Sequence, residues 1–289
     1  MQNRVKNAMF RNNLLKLVTA PVAASALLCA PLASAMNVIP DVIFGSGNAN
    51  GAFTIGTGAN GGDLGPIVEL GLRAKLRFNE SNSPENTFNY DGFDTYIFDA
   101  GLPPTGFGFD PNSPGTAVWN FEWSVNSDQQ GAGGSNLLSL TYEIRIDGDP
   151  TGGTDFYIFD PILVPYADHA LGTNATGNGG GAVVDGNDAN RENLYEDALE
   201  NNNVAQNSWN YEFFNNPATA PGTTLAGFSG ALPGEYRIEL EAFDLQGNSV
   251  AVTGINVVSA AADVPSPATL ALLGLGLTGL GLSRRRNAK

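Results

Sequence analysis

Residues 117–125 read Ala-Val-Trp-Asn-Phe-Glu-Trp-Ser-Val. Ala117, Trp119, Phe121, Trp123 and Val125 alternate with Asn120, Glu122 and Ser124, and alternation of this kind marks a β-strand with one face in a core. Toward the N-terminus, Val68, Leu70, Leu72, Ala74, Leu76 and Phe78 alternate with Glu69, Arg73, Lys75, Arg77 and Asn79. This predicts a second, half-buried strand that turns its charged face to water. Toward the C-terminus, Leu138, Leu140, Tyr142, Ile144 and Ile146 make a third. Shorter strands are expected at 87–90, 95–98, 155–159 and 208–214. A closing hairpin is expected from 235–243 and 249–258. It is entered through Leu232-Pro233-Gly234-Glu235-Tyr236 and turned at Leu245-Gln246-Gly247-Asn248. One helix is predicted, with Asp188 as its cap, Leu194, Tyr195, Ala198 and Leu199 as its apolar stripe, and Asn201-Asn202-Asn203 at its end. Gly45–Gly65 and Gly172–Gly186 read as long loops, the first linking an N-terminal strand to the first long one.

The fold class that follows is mostly β: a two-sheet β-sandwich with one short helix and long loops. Its final hairpin resembles that of immunoglobulin-like bacterial surface modules, so the sandwich is expected to be immunoglobulin-like in part. The chain has 289 residues, with 36 Gly and 17 Pro, which is turn-rich but below the roughly 25–30% of a disordered chain. Residues 36–263 hold six basic residues (Arg73, Lys75, Arg77, Arg145, Arg191, Arg237) against 29 acidic ones, a net charge of −23. Such a balance excludes nucleic acid as a partner, because phosphate binding needs clustered Lys and Arg. It also repels acidic polymers unless cations bridge them.

The ends of the chain carry export signals. Arg4, Lys6, Arg11 and Lys16 precede the apolar stretch 17–32, and Ala33-Ser34-Ala35 is a small-x-small cleavage site. Residues 1–35 therefore read as a signal peptide, handled by the Sec machinery and signal peptidase. Ala33 and Ala35 present the small side chains, and Met36 becomes the new N-terminus. The single Cys of the chain, Cys29, sits in this apolar stretch, so the mature chain has no thiol and no disulfide. Residues 36–263 form the exported β-rich domain, with a subdomain break expected near 166–206. The tail runs Val264-Pro265-Ser266-Pro267, then an uncharged apolar run 268–283, then Arg284-Arg285-Arg286. The 16-residue run spans about 24 Å as a helix, near the roughly 30 Å of a bilayer core. It reads as a short transmembrane helix, and the arginines act as a stop-transfer.

This tail resembles the PEP-CTERM sorting signal of Gram-negative bacteria, which joins a Pro-x-Pro element, a short Gly/Leu helix and an Arg cluster. Ser266 stands where the usual Val-Pro-Glu-Pro form has Glu. The resemblance implies an exosortase as partner and processing near Pro265-Ser266-Pro267. It also implies an inner-membrane intermediate, followed by the cell surface or exopolysaccharide matrix. A plain anchor that is never cut is the competing reading. Asn86-Thr87-Phe88, Trp119-Asn120-Phe121-Glu122-Trp123, Leu140-Thr141-Tyr142-Glu143 and Asp168-His169-Ala170 are similar to strings in a group of uncharacterised β-rich PEP-CTERM proteins, a group that lends no activity.

Little in the body points to catalysis. A Ser-His-Asp hydrolase needs a His as general base, and the only His is His169. The closest string to a nucleophile elbow, Gly227-Phe228-Ser229-Gly230-Ala231, has Ala in place of the second Gly. Paired carboxylates for glycan hydrolysis do not stand out from the many acidic turn residues. Trp119, Trp123 and Trp209 are candidates for stacking on sugars, but Trp119 and Trp123 share the apolar face of their strand. Calcium takes 6–8 oxygens, and the candidate ligands are Asp147 and Asp149 in one turn and Asp185, Asn187 and Asp188 in another. Ala189 and Asn190 break the EF-hand pattern there, and Asx-turns explain the same residues. The expectation is a non-enzymatic structural or adhesive protein with no cofactor other than calcium. Two classes compete: a polysaccharide-binding or polysaccharide-degrading protein, and a calcium-stabilised adhesion module.

Overall fold

The computed structural model describes residues 53–61, 65–77, 87–103, 114–163, 169–177, 179–218 and 220–261. The signal segment with Ala33, Ala35 and Met36 lies outside the described residues. So do the tail elements Val264–Pro267, 268–283 and Arg284–Arg286. The described residues form ten strands: β1 (Thr54–Ala59), β2 (Ile67–Leu76), β3 (Thr95–Asp99), β4 (Trp119–Asn126), β5 (Thr141–Asp147), β6 (Phe156–Phe159), β7 (Ala170–Gly172), β8 (Val204–Trp209), β9 (Gly234–Phe243) and β10 (Ser249–Ala260). One helix, α1 (Arg191–Asn201), precedes β8. Among the described residues no helix is long and apolar enough to cross a membrane.

The strands make two five-stranded sheets, ordered β1-β2-β4-β8-β7 and β3-β10-β9-β5-β6. Every pairing is antiparallel except β3 with β10, which runs parallel from Thr95↔Asn256 to Asp99↔Ala260. The inward rows alternate as the period-2 pattern requires. Leu70, Leu72 and Ala74 of β2 lie beside Val125, Trp123 and Phe121 of β4, and all six are fully buried. From the other sheet Ile144, Ile146, Tyr236, Ile238, Leu240, Ile255 and Val257 complete one core. Trp119 joins the two layers. Its ring lies 6.4 Å from Phe98 of β3 and 6.0 Å from Tyr236 of β9, the separations at which aromatic pairs attract beyond simple burial.

β1 lies inside the Gly-rich stretch 45–65, which the sequence marks as loop. Its glycines explain the difference. Gly56 and Gly58 face β10 so closely that a Cβ at either position would run into the backbone carbonyl of Val252 or Val250. Glycine here removes the side chain that alternation arguments depend on, while permitting close backbone approach. The β9–β10 hairpin stands where the alternation places it, turning through Gly247 at φ +83°.

Five further expectations change. The outward side of β2 is buried rather than solvated: Glu69, Arg73 and Lys75 are 4%, 0% and 6% exposed. The third apolar run does not begin as a strand. Leu137–Ser139 form a 3-10 turn capped by Asn136, whose side chain accepts from the Leu138 N–H, and Leu138 is left exposed. The strand expected at 208–214 ends at Trp209 and passes into a 3-10 turn at Tyr211–Phe213. The segment 87–90 contributes only a bridge, Tyr90↔Tyr96. At α1 the N-cap is Asn190, not Asp188, and only Tyr195 and Leu199 of the expected stripe are buried.

Candidate functional site

The most concentrated chemistry is the outward face of the β1-β2-β4-β8-β7 sheet. Register sets Arg73 of β2 directly beside Glu122 of β4, with Lys75 beside Asn120. The Glu122 carboxylate bridges two cations: Arg73 Nε and Nη2 meet its Oε2, and Lys75 Nζ meets its Oε1. The Arg73 guanidinium also lies over the Phe53 and Phe88 rings, 4.1 and 4.8 Å from their centroids, in cation–π geometry. Burial pushes the Arg73 and Lys75 pKa values down, and the Glu122 charge opposes that shift. Beside this triad Gln206 Nε2 donates to Ser124 Oγ at 3.0 Å, and Asn120 Nδ2 donates to Ser208 Oγ at 3.1 Å. The face is thus a buried polar layer in which one carboxylate is shared by two cations.

The carboxylates considered for calcium are organisers of loops. Asp147, only 1% exposed, accepts through Oδ1 from the N–H groups of Asp149 and Asp155 at 3.0 and 2.8 Å, and through Oδ2 from that of Arg237 at 3.3 Å. Desolvation holds its pKa above the ordinary carboxylate range despite these bonds. Asp149 accepts from the Thr151 N–H at 2.9 Å. In the other turn Asp185 accepts from the backbone and side-chain nitrogens of Asn187 at 2.8 and 3.1 Å, and Asp188 from the Asn190 N–H at 2.7 Å. The bonds from Asp149 to Asp147, Thr151 to Asp149, Asn187 to Asp185 and Asn190 to Asp188 are the i to i+2 bonds of Asx-turns. Among the described residues no group of three or more His, Cys, Asp or Glu is placed to hold a metal ion. A feature not apparent in the sequence is an amide knot. Asn174 and Asn203 both donate to the Asp128 carbonyl, at 2.7 and 3.2 Å, and Asn203 donates to Asn126 Oδ1 at 2.8 Å. Three segments distant in sequence meet there, so no local pattern announces it.

His169 is a core residue, 2% exposed. Nε2 donates to the Pro161 carbonyl at 2.7 Å, and Nδ1 accepts from Asn207 Nδ2 at 2.9 Å. Its ring is flanked by Trp123, Tyr195 and Trp209, 5.1 to 6.1 Å away centre to centre. Both nitrogens are therefore occupied, and neither faces a nucleophile. Ser229 follows the 3-10 turn Thr224–Gly227, and among the described residues no helix comes after it. Trp119, Trp123 and Trp209 are 1%, 0% and 5% exposed, all in the core.

The remaining site is linear. β10 ends at Ala260, and residues 263–286 match the PEP-CTERM protein-sorting motif. The tail is a PEP-CTERM sorting signal. The motif is recognised by exosortase, and it marks this chain as an exported protein sent through the membrane to the cell surface. No curated protein and no solved structure matches the chain.

Proposed function

We propose that the protein is a non-enzymatic structural or adhesive component of the cell surface or exopolysaccharide matrix of a Gram-negative bacterium. The observation that carries this reading is the sorting motif at residues 263–286 attached to a sandwich whose reactive side chains are engaged internally. His169 is held by Pro161 and Asn207, and the tryptophans are buried. On the outward face of the β3-β10-β9-β5-β6 sheet, Arg145 is matched by Glu143 and Glu241, and Arg237 by Asp94 and Glu239. A face of that kind is suited to hydrated surroundings and to extracellular polysaccharide. The immunoglobulin-like character of the closing hairpin belongs to this reading.

Maturation follows from the two ends. Signal peptidase cuts after Ala35. Residues 268–283 then hold the tail in the bilayer, Arg284–Arg286 keep it from passing through, and the extended Val264-Pro265-Ser266-Pro267 segment is presented to the exosortase, because proline blocks helix there. Intact mass and fractionation from the native host test this. The expected product begins at Met36, ends near Pro265–Pro267 and is found outside the cell. A product that keeps Arg284–Lys289 in the inner membrane overturns it.

A further inference from the structure

We propose that the end of the sandwich where β3 and β10 terminate rests on the bilayer before processing, with Leu102 and Leu232 in contact with the lipid. This rests on the reading of residues 268–283 as a membrane segment. The chain leaves the last sheet residue at Ala260, paired with Asp99. Only residues 261–267 separate it from the apolar run. Seven residues reach at most about 25 Å fully extended, and about 22 Å in the extended form that Pro265 and Pro267 favour. The polar headgroups occupy roughly 5–8 Å of that on each side of the hydrocarbon. The end bearing Ala260 is therefore held at the membrane whatever the rest of the domain does.

That end exposes two leucines. Leu102 is 43% exposed and Leu232 is 60% exposed, on two loops tied to each other and to the departing chain. The Ala100 N–H donates to the Ala260 carbonyl at 2.6 Å, and the Gly101 N–H donates to the Gly230 carbonyl at 2.9 Å. Leu232 stands two residues before Gly234, which pairs with Ser259. Both leucines thus lie beside the point where the tether begins. Two leucines do not hold a free domain on lipid, but a short tether supplies an effective concentration in the millimolar range, at which weak contacts persist. Asp99, Asp149, Asp155 and Glu235 lie at the same end, so the contact is apolar rather than electrostatic and should not weaken with salt.

The far end of the same strand provides a built-in control. Leu245, 68% exposed, lies in the β9–β10 turn, some 35–40 Å along β10 at roughly 3.3 Å per residue. The test uses the chain from Met36 to Lys289, which has no native cysteine, with a single environment-sensitive fluorophore on L102C, L232C, L245C or L275C. Each is reconstituted into vesicles of phosphatidylethanolamine and phosphatidylglycerol, with and without brominated acyl chains. Loss of emission on brominated lipid at positions 102, 232 and 275, but not at 245, is the expected result, unchanged in high salt. Quenching at 275 with none at 102 and 232 overturns the contact and leaves the membrane anchor standing. Equal quenching at 245 also overturns it, because the domain then lies without a preferred end. No quenching at 275 removes the membrane reading itself, and the contact falls with it.

Discussion

Replacing Glu122 by Gln should be among the most damaging single changes of one atom type in this protein. The substitution keeps the volume and removes the charge that two buried cations share. Arg73 and Glu122 are 0% exposed and Lys75 is 6% exposed. Breaking a buried pair by removing one partner leaves uncompensated charge away from water, which costs about 3–5 kcal/mol. Here the single carboxylate serves both Arg73 and Lys75, so the upper part of that range is expected. Against a typical total of about 5–15 kcal/mol, that is a large fraction. In a domain of this size, each 1 kcal/mol lowers Tm by roughly 2–4 °C, so a loss of about 4–5 kcal/mol gives a fall of about 8–20 °C. The assay is urea unfolding followed by tryptophan fluorescence, since Trp119, Trp123 and Trp209 are all buried. Glu143→Gln is the matched comparison, because its Arg145 partner sits at a partly exposed face, where such pairs contribute about 0–1 kcal/mol and fade with salt. The combined Arg73→Met, Lys75→Met, Glu122→Leu replacement should recover most of the loss, because apolar residues of similar volume substitute well for buried ions. A cost below about 1 kcal/mol for Glu122→Gln, or one abolished by salt, would refute the argument. It would mean that water reaches the triad.

Four other outcomes are expected. Gly56→Ala should lower stability by about 1–3 kcal/mol through overlap with the Val252 carbonyl. Gly227→Ala, which has nothing within 4 Å of the new Cβ, should be neutral or gain about 0.4–1 kcal/mol, and equal thermal shifts for the two would contradict the close β1–β10 approach. Burial raises the pKa of Asp160. Its protonated form therefore favours folding, and that contribution is full below the unfolded value near 3.9 and lost as pH rises through the raised folded value. The wild-type advantage over Asp160→Asn should accordingly shrink as pH climbs through this window, and an advantage that grows instead would reverse the sign. Changing Arg284, Arg285 and Arg286 together to Asn should impair retention and processing, read by immunoblot of cell fractions, with unchanged processing as the adverse result. Chelation with EDTA should leave Tm unmoved, because Asp147, Asp149, Asp185 and Asp188 already accept loop N–H groups; a clear fall would restore calcium as a structural ligand.

How much of this was legible depends on whether one strand suffices to carry the information. Alternation at 117–125 and 68–76 places Trp119, Phe121, Leu70 and Leu72 inward, and so they stand. It says nothing of what covers the opposite side, so Arg73 and Lys75 read as solvated when they are buried. The only available clue was mutual: two basic residues on one strand and Glu122 at the centre of another. Yet the register that joins them depends on pairings outside either segment. β1 was illegible for the opposite reason. Glycine leaves no side chain to alternate, and what makes Gly56 and Gly58 necessary is the backbone of β10, nearly two hundred residues away in sequence. The 3-10 turns at 137–139 and 211–213 were missed because Asn136 and Asn210 offer their side chains to nearby N–H groups, and such local bonds compete with strand pairing.

The sorting signal was legible for a reason that also explains why the body discloses so little. The information of such a motif lies in residue order: proline at 265 and 267, then arginine at 284–286, within the matched stretch 263–286. No tertiary contact is needed to make it meaningful. The body works the other way. Its single histidine, its tryptophans and its charged strand face look chemically promising one at a time. Folding then spends each of them: His169 on Pro161 and Asn207, the tryptophans on one another and their aromatic neighbours, Arg73 and Lys75 on Glu122. Polar groups buried with their partners already chosen resist exchange, because any new partner must first break a desolvated bond. The surface left over is acidic, and at one end, beside the departing tether, it carries two exposed leucines. The interactions of such a protein are to be sought at that surface rather than in its interior.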